Sequence, residues 1–571
     1  MKKRIKFLIW IYLWLVGSMA IASGKNPKDI PLFGMFEVQV INNTSYENPF
    51  MDVELNSVFT SPTGKKVKFF GFYDGDGQGG QKGNIWRQRF MPNEEGTWTY
   101  VISFSDDSLI LKGEFNCVKE NAKPGPWLPY SENPHWFTTA NGEHFLPVAM
   151  HADCVYSPID WMDAIQWCKT RGYNTLITST MNTWAWPEGQ ENITAFSTRS
   201  VSDKEVDYEH FNLRMWQQWD EMIETAGENS MYIGPFNGPT GFYGGRRSKY
   251  PPVELAYYPA NRNGWETPQN KKIIRYLIAR QGAYWNIAFW NLGSTEMYHF
   301  HSVTSAIRYG QFFASISPFE RMITAQDCEQ WHNADRRWLS KMNFPSSRKL
   351  NTIQTGVGEI GNPDKHAFID DSTWQQAYPN YELAIDSYSG FPVITTEGLW
   401  EGQGRAKKPS RIIWGLFMAG AHTMWADWSY EDPDNHDFGS IGRGWVPLRS
   451  PDKHLFQADQ LGVNCIGDEQ LLIATNAIQS MQYWKMNPHS ELVSGSSEAY
   501  CLAEPGVQYM VYIPNGGIIK LNLEQAPGLF EFKWLDPFTG DYSKSTEIGG
   551  EKNLSFSLEN GLERVLILQK K

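Results

Sequence analysis

The chain has 571 residues, 41% of them apolar and 20% charged, with a formal net charge of −12. That composition is not that of a disordered chain, and the length suggests three or four domains, or fewer if one is a large barrel. The acidic balance, with no long Lys/Arg run beyond the first few residues, excludes a nucleic-acid partner, because such binders carry a basic face.

In chain order, Lys2, Lys3, Arg4 and Lys6 precede a mostly apolar stretch from Phe7 to Ala22 that ends on Ala20-Ile21-Ala22. A basic start, an apolar run and a small-x-small site read as a signal peptide over residues 1–22. An exported protein, periplasmic or secreted, is expected, with no membrane anchor after cleavage. No later segment reaches the ~18 apolar residues of a membrane helix.

Residues 32–120 read as a β-sandwich. Phe36 to Val40, Val67 to Gly71 and Trp98 to Phe104 are strand-like runs separated by Gly/Asp/Asn turns. Trp86 and Arg89-Phe90-Met91-Pro92 are expected in its core and corners. Lys123-Pro124-Gly125-Pro126 marks a linker.

From residue 126 to 490 apolar strands alternate with helices. Strands are expected at His144 to Met150, Asn174 to Thr180, Met231 to Phe236, Trp285 to Trp290, Leu350 to Thr355, Pro392 to Thr396 and Ala421 to Trp425. Helices are expected at Trp161 to Arg171, Phe211 to Ala226, Ile273 to Gly282, Ala306 to Ile323, Trp374 to Ser387 and Arg411 to Gly420. Such alternation indicates a covered parallel sheet, and about eight units match a (β/α)₈ TIM barrel. A doubly wound sheet is the runner-up, without the GxGxxG that would open its first turn. Strands return over residues 497–571, at Gln508 to Ile513, Ile518 to Leu523, Phe530 to Leu535 and Arg564 to Leu568, as a second β-sandwich. The expected fold class is therefore multidomain, a central (β/α)₈ barrel flanked by N- and C-terminal β-sandwiches.

In a barrel, chemistry sits at the C-terminal ends of the strands. Reading only those ends gives His151 and Asp153, then Trp184 and Trp186, Asn237, Asn291 and Glu296, Glu397 followed by Gly398-Leu399-Trp400, and Asp427 with Trp428, just after Trp425. Carboxylates interleaved with Trp suit a carbohydrate, since indoles stack on pyranose rings and two carboxylates cleave a glycosidic bond. Glu397, directly after a β-branched strand, is the expected catalytic carboxylate and Glu296 its expected carboxylate partner. Glu359, Asp153 and Asp427 are rival acids. The remaining strand-end residues, His151, Asp153, Asn237, Asn291, Asp427, Trp184, Trp186, Trp400 and Trp425, are the expected substrate contacts.

No cofactor or metal is expected. His299-Phe300-His301 offers two ligands where a catalytic zinc needs a third, and no HExxH or GxSxG occurs. His151 and His422 read as hydrogen-bonded core or sugar-contact residues. Arg246 and Arg247 read as part of a solvated loop. The six cysteines are widely spread and read mostly as buried small hydrophobes.

The run Trp86-Arg87-Gln88-Arg89-Phe90-Met91-Pro92 with Glu95-Gly96-Thr97-Trp98 and Tyr100 resembles the domain of unknown function 5060, which precedes barrels in bacterial glycoside hydrolases. The middle region resembles the clan A type of (β/α)₈ glycosidase and the apiosidase-like barrels of Bacteroidetes. Tyr500-Cys501-Leu502-Ala503-Glu504-Pro505-Gly506, with Trp534, Asp536, Pro537, Thr539 and Gly540, resembles the collagen-binding domain family fused behind such barrels. The clan A resemblance implies an acid/base Glu after strand four and a nucleophile Glu after strand seven, hence a retaining glycoside hydrolase. Glu397 matches the second position. At the first, four residues separate Asn291 from Glu296, where the clan places Asn directly before the acid. The alternative is a non-catalytic carbohydrate-binding or cell-surface protein on a degenerate barrel.

Overall fold

The computed structural model describes residues 29–152, 158–178, 196–200, 205–236, 266–292, 303–324, 345, 348–354, 378–397, 399–401, 408–427, 461–462, 465–495 and 498–571. In the first of these stretches, Phe36–Ile41 and Leu55–Thr60 alternate buried and half-buried residues, the period-two pattern of strands with one covered face. Asp29–Pro31, Ile110–Val118, Gly96–Phe104, Leu55–Thr60 and Lys66–Phe70 make one sheet. Phe36–Ile41, Ile85–Phe90 and Phe72–Tyr73 make another. Phe36 stacks on Phe115 and Phe59 on Phe90, with centroids 4.2 and 4.0 Å apart. Trp86 and Trp98 are buried, so they are core residues rather than a sugar platform.

The middle of the chain lays down parallel strands. β1 (Ala149–His151) pairs with β2 (Thr175–Thr178), and β2 with β3 (Tyr232–Pro235). A parallel bridge between Ile233 and Ile287 leads to β4 (Phe289–Asn291), which pairs with β5 (Met322–Thr324). A bridge between Ile323 and Lys349 leads to β6 (Asn351–Gln354), which pairs with β7 (Val393–Glu397). A bridge between Ile394 and His422 leads to β8 (Met424–Asp427), and β8 pairs with β1. The circuit of parallel pairings thus returns to its first strand.

Helices alternate with these strands among the described residues: α1 (Pro158–Arg171), α2 (Leu213–Glu228), α3 (Pro268–Gln281), α4 (Val303–Ile316), α5 (Tyr378–Ser387), α6 (Pro409–Met418) and α7 (Gly467–Gln479). The Asn212 side chain caps α2 by accepting from the Met215 N–H, and Pro409 opens α6, where its missing N–H costs nothing.

Period-two alternation decides which strand residues face the inside of the circuit. Tyr232, Phe289, Met322, Leu350 and Ile394 cluster there, with Trp127 and Phe137 packed against them. Those two rings come from the small antiparallel sheet Trp127–Pro129, Phe137–Thr139 and His144–Phe145, which plugs the N-terminal end of the strands. A second inner layer holds Ala149, Ile177, Phe236, Met424 and Ala426. The residues one step out of phase, such as Met150, Leu176, Ile233, Trp290, Ile323, Val393 and Trp425, pack in the cluster shared with the helices.

Two expected elements differ. The helix expected over Ala306 to Ile323 ends at Ile316, because Pro318 follows, and its last residues belong to β5. The strand expected from His144 to Met150 is split at Pro147 between the plug and β1.

The first sandwich is bolted to α2 and α3 by buried charge. Arg89 and Arg280 both donate to Asp220 at 2.9 Å, and Arg280 also reaches Asp74 at 2.7 Å. Burial drives the Asp220 carboxyl above its ordinary range despite its two arginine partners. After α7 come a six-stranded and a three-stranded sheet with their own core of Cys501, Val511, Ile519 and Leu566. They meet α6 where Trp414 stacks on Tyr512 at 6.0 Å and the Glu563 carboxylate accepts from Tyr512 at 2.9 Å and from Ser410. Among the described residues no helix is long and apolar enough to cross a membrane.

Candidate functional site

Polar side chains gather at the C-terminal ends of β1, β4 and β7, above the inner apolar layers. β1 runs Ala149-Met150-His151, so with Ala149 in the inner layer, His151 takes the same side two residues on. Its Nδ1 lies 2.7 Å from the Thr396 carbonyl. A carbonyl only accepts, so Nδ1 carries the hydrogen. The imidazole also packs on the Phe236 ring, 4.5 Å between centroids. On β4, Phe289 is an inner residue, and Asn291 follows at the same phase. The Asn291 amide donates to the Phe236 carbonyl. His151 and Asn291 are both buried. Both expected contacts therefore meet around Phe236.

β7 is irregular where the chemistry is expected. Ile353 of β6 stands opposite Thr395, but the next residue, Gln354, stands opposite Glu397. Thr396 is the extra residue of a β-bulge, a feature that breaks the alternation of the strand. Its carbonyl is the one held by His151, and its buried hydroxyl has no partner among the described residues. Glu397 ends β7, and the chain resumes as Leu399–Glu401, pairing with β8 instead of β6.

Two expected residues lie on the other face. With Met424 and Ala426 inside, Trp425 and Asp427 point at the helices. Trp425 is fully buried, stacks on Trp167 of α1 at 5.7 Å, and donates its indole N–H to Glu401 at 2.9 Å. Asp427 accepts from the Gly462 N–H at 2.7 Å and contacts the Cys465 thiol at 3.6 Å. Trp425 is thus not a sugar platform, and Asp427 anchors the entry to α7.

Glu401 is a buried acid that strand-end reading missed. Its carboxylate accepts from the backbone N–H groups of Ile466 and Gly467, at 2.7 and 2.6 Å, at the start of α7. Burial holds its carboxyl above the ordinary range, against the pull of these donors. Thr324, at the end of β5, was missed because that strand was hidden in an expected helix.

Asp153, Trp184, Trp186, Asn237 and Glu296 lie outside the described residues, as do residues 1–22, Arg246, Arg247, His299, His301 and Glu359. Trp400 is placed by its backbone alone, in Leu399–Glu401. His422 is a core residue whose Nε2 donates to the His135 carbonyl at 3.0 Å. Among the described residues no three His, Cys, Asp or Glu side chains form a group that could hold a metal ion.

Residues 29–105 match the family described as Domain of unknown function (DUF5060). No curated protein matches the chain. A protein of Bacteroides vulgatus ATCC 8482 assigned as a glycoside hydrolase is similar in structure at a TM-score of 0.68, over 95% of this chain and 100% of that one, with 15% sequence identity. Another glycoside hydrolase gives 0.54 over 78% of this chain and 97% of its own, at 16% identity. A glycoside hydrolase family 5 structure, also from Bacteroides vulgatus ATCC 8482, gives 0.52 over 78% and 94%, at 17% identity. The chain thus carries a DUF5060 domain at its N-terminal end and shares a glycoside-hydrolase-like fold.

Proposed function

We propose that this protein is an exported glycoside hydrolase that cleaves O-glycosidic bonds of a polysaccharide or oligosaccharide by a retaining, two-carboxylate mechanism. On this reading the eight parallel strands are a (β/α)₈ barrel of the clan A type, flanked by β-sandwiches at 32–120 and 497–571. The observation that carries it is the position of Glu397, at the bulged C-terminal end of β7, in a chain whose structural relatives are glycoside hydrolases.

Glu296 protonates the glycosidic oxygen while the Glu397 carboxylate attacks the anomeric carbon, forming a covalent glycosyl-enzyme. Glu296 then takes a proton from the water that hydrolyses it. That sequence needs the two carboxyl groups about 5–5.5 Å apart. Asn291, Asp153, Asn237, Trp184, Trp186 and Trp400 supply polar and stacking contacts, and no cofactor takes part. The signal peptide at 1–22 delivers the enzyme to the periplasm or medium.

The test is hydrolysis of a panel of plant and algal polysaccharides by wild type and Glu397→Gln side by side. Loss of the nucleophile lowers kcat by roughly 10⁴-fold or more without lowering Tm. Equal rates in both would refute Glu397 as nucleophile. Binding by wild type without any turnover would move the protein to the non-catalytic reading.

A further inference from the structure

We infer that His151 is a positioning residue: its Nδ1–H pins the bulged Thr396 carbonyl and so fixes the direction in which Glu397 leaves β7. This rests on the proposed role of Glu397 as nucleophile.

Along β7, Val393 packs toward the helices and Ile394 lies in the inner cluster. Strict alternation would return position 397 to the helix side, where Trp425 and Asp427 of β8 lie. The extra residue, Thr396, resets that phase, so the backbone phase at position 397 depends on the bulge keeping its shape. A bulge leaves one residue out of the ladder, and a buried carbonyl without a partner is costly. Here the carbonyl of Thr396 is met across the circuit by His151, at 2.7 Å and with both residues buried.

The ring is itself held from the other side. Phe236 packs on the imidazole, and the Phe236 carbonyl is gripped by the Asn291 amide. The ends of β1, β3, β4 and β7 are therefore linked in one chain of contacts, and His151 is the member that touches the bulge.

Two near-isosteric variants separate this role from direct contact with the sugar. Asn places its side-chain N–H₂ close to the position of His Nδ1, whereas Gln places its own close to Nε2. Hydrogen exchange of the peptide 393–401 and the split between kcat and KM are measured for His151→Asn and His151→Gln, with Tm as a check on folding. His151→Asn keeps wild-type exchange and a kcat within about threefold. His151→Gln speeds exchange in 393–401 and lowers kcat about 10- to 100-fold at an almost unchanged KM, the cost of misplacing a reacting group by a fraction of an ångström to an ångström.

Wild-type exchange in both variants would overturn the inference, and so would faster exchange in His151→Gln with an unchanged kcat. A raised KM in His151→Asn that Gln restores would make His151 a substrate contact instead. If wild type hydrolyses nothing, the glycosidase reading fails on its own, while the exchange data still decide whether His151 holds the bulge.

Discussion

β7 and β8 look alike in the sequence and end differently in the structure. Val393-Ile394-Thr395-Thr396-Glu397 and Met424-Trp425-Ala426-Asp427 are both short apolar runs closing on an acid, and each acid was a candidate for the same chemistry. In β8 the alternation is unbroken, so Asp427 shares the face of Trp425 and is spent on holding the entry to α7. In β7 a single extra residue interrupts the alternation just before the acid. The residue type at a strand end thus does not fix the face that the residue takes. Its phase relative to the inner apolar layer is the deciding quantity.

The largest test of that contrast is Trp425→Ala. Removing a fully buried indole that packs on Trp167 and donates to Glu401 costs about 3–5 kcal/mol, read as a lower Tm or denaturant midpoint. At temperatures where the variant remains folded, KM for the sugar substrate stays at the wild-type value. A raised KM with unchanged stability would put Trp425 at a subsite and erase the difference between the two strands.

How much of this was legible beforehand follows from the same physics. The strand-and-helix alternation was readable because parallel strands covered on both faces are apolar throughout. That very property hid the phase, since β8 offers no polar residue before Asp427 to mark which side is which. β5 was lost because Met322-Ile323-Thr324 is only three residues long and follows a helix with the same apolar texture. The bulge is a matter of pairing with β6, and Thr395-Thr396 carries no local sign of it. His151 and Asn291, expected from strand ends alone, are buried on the inner face, and their joint contact with Phe236 needed the fold.

The opposite ends of β7 and β8 give a pH-dependent test. There the two strands meet through His422, whose ring donates to the His135 carbonyl while its Nδ1 has no partner among the described residues. Burial pushes both His422 and His135 down to about 4. Both rings are neutral in the folded protein, so below about 6.5 the unfolded chain binds the extra protons. Stability therefore falls as pH drops from about 6.5 toward 4, by about 3 kcal/mol for each ring. Urea unfolding across that window shows the loss, and His422→Gln, which can keep the donor, removes about half of it. A flat profile would mean that water reaches this end of the strands.

Asp427→Asn is the finest test of the two acids. The amide oxygen can still accept from Gly462, while the charge and the acceptor facing the Cys465 thiol go, so the stability cost is about 1 kcal/mol. An anchor on the helix side predicts kcat/KM within about twofold of wild type at every pH where the fold persists. A rival acid in the mouth predicts instead a loss of kcat without loss of Tm, together with removal of one limb of the pH–rate profile. Because Asn preserves shape and one hydrogen bond, the two outcomes differ in which quantity moves. The carboxylate of β8 then belongs to the fold or to the chemistry according to whether Tm or kcat responds.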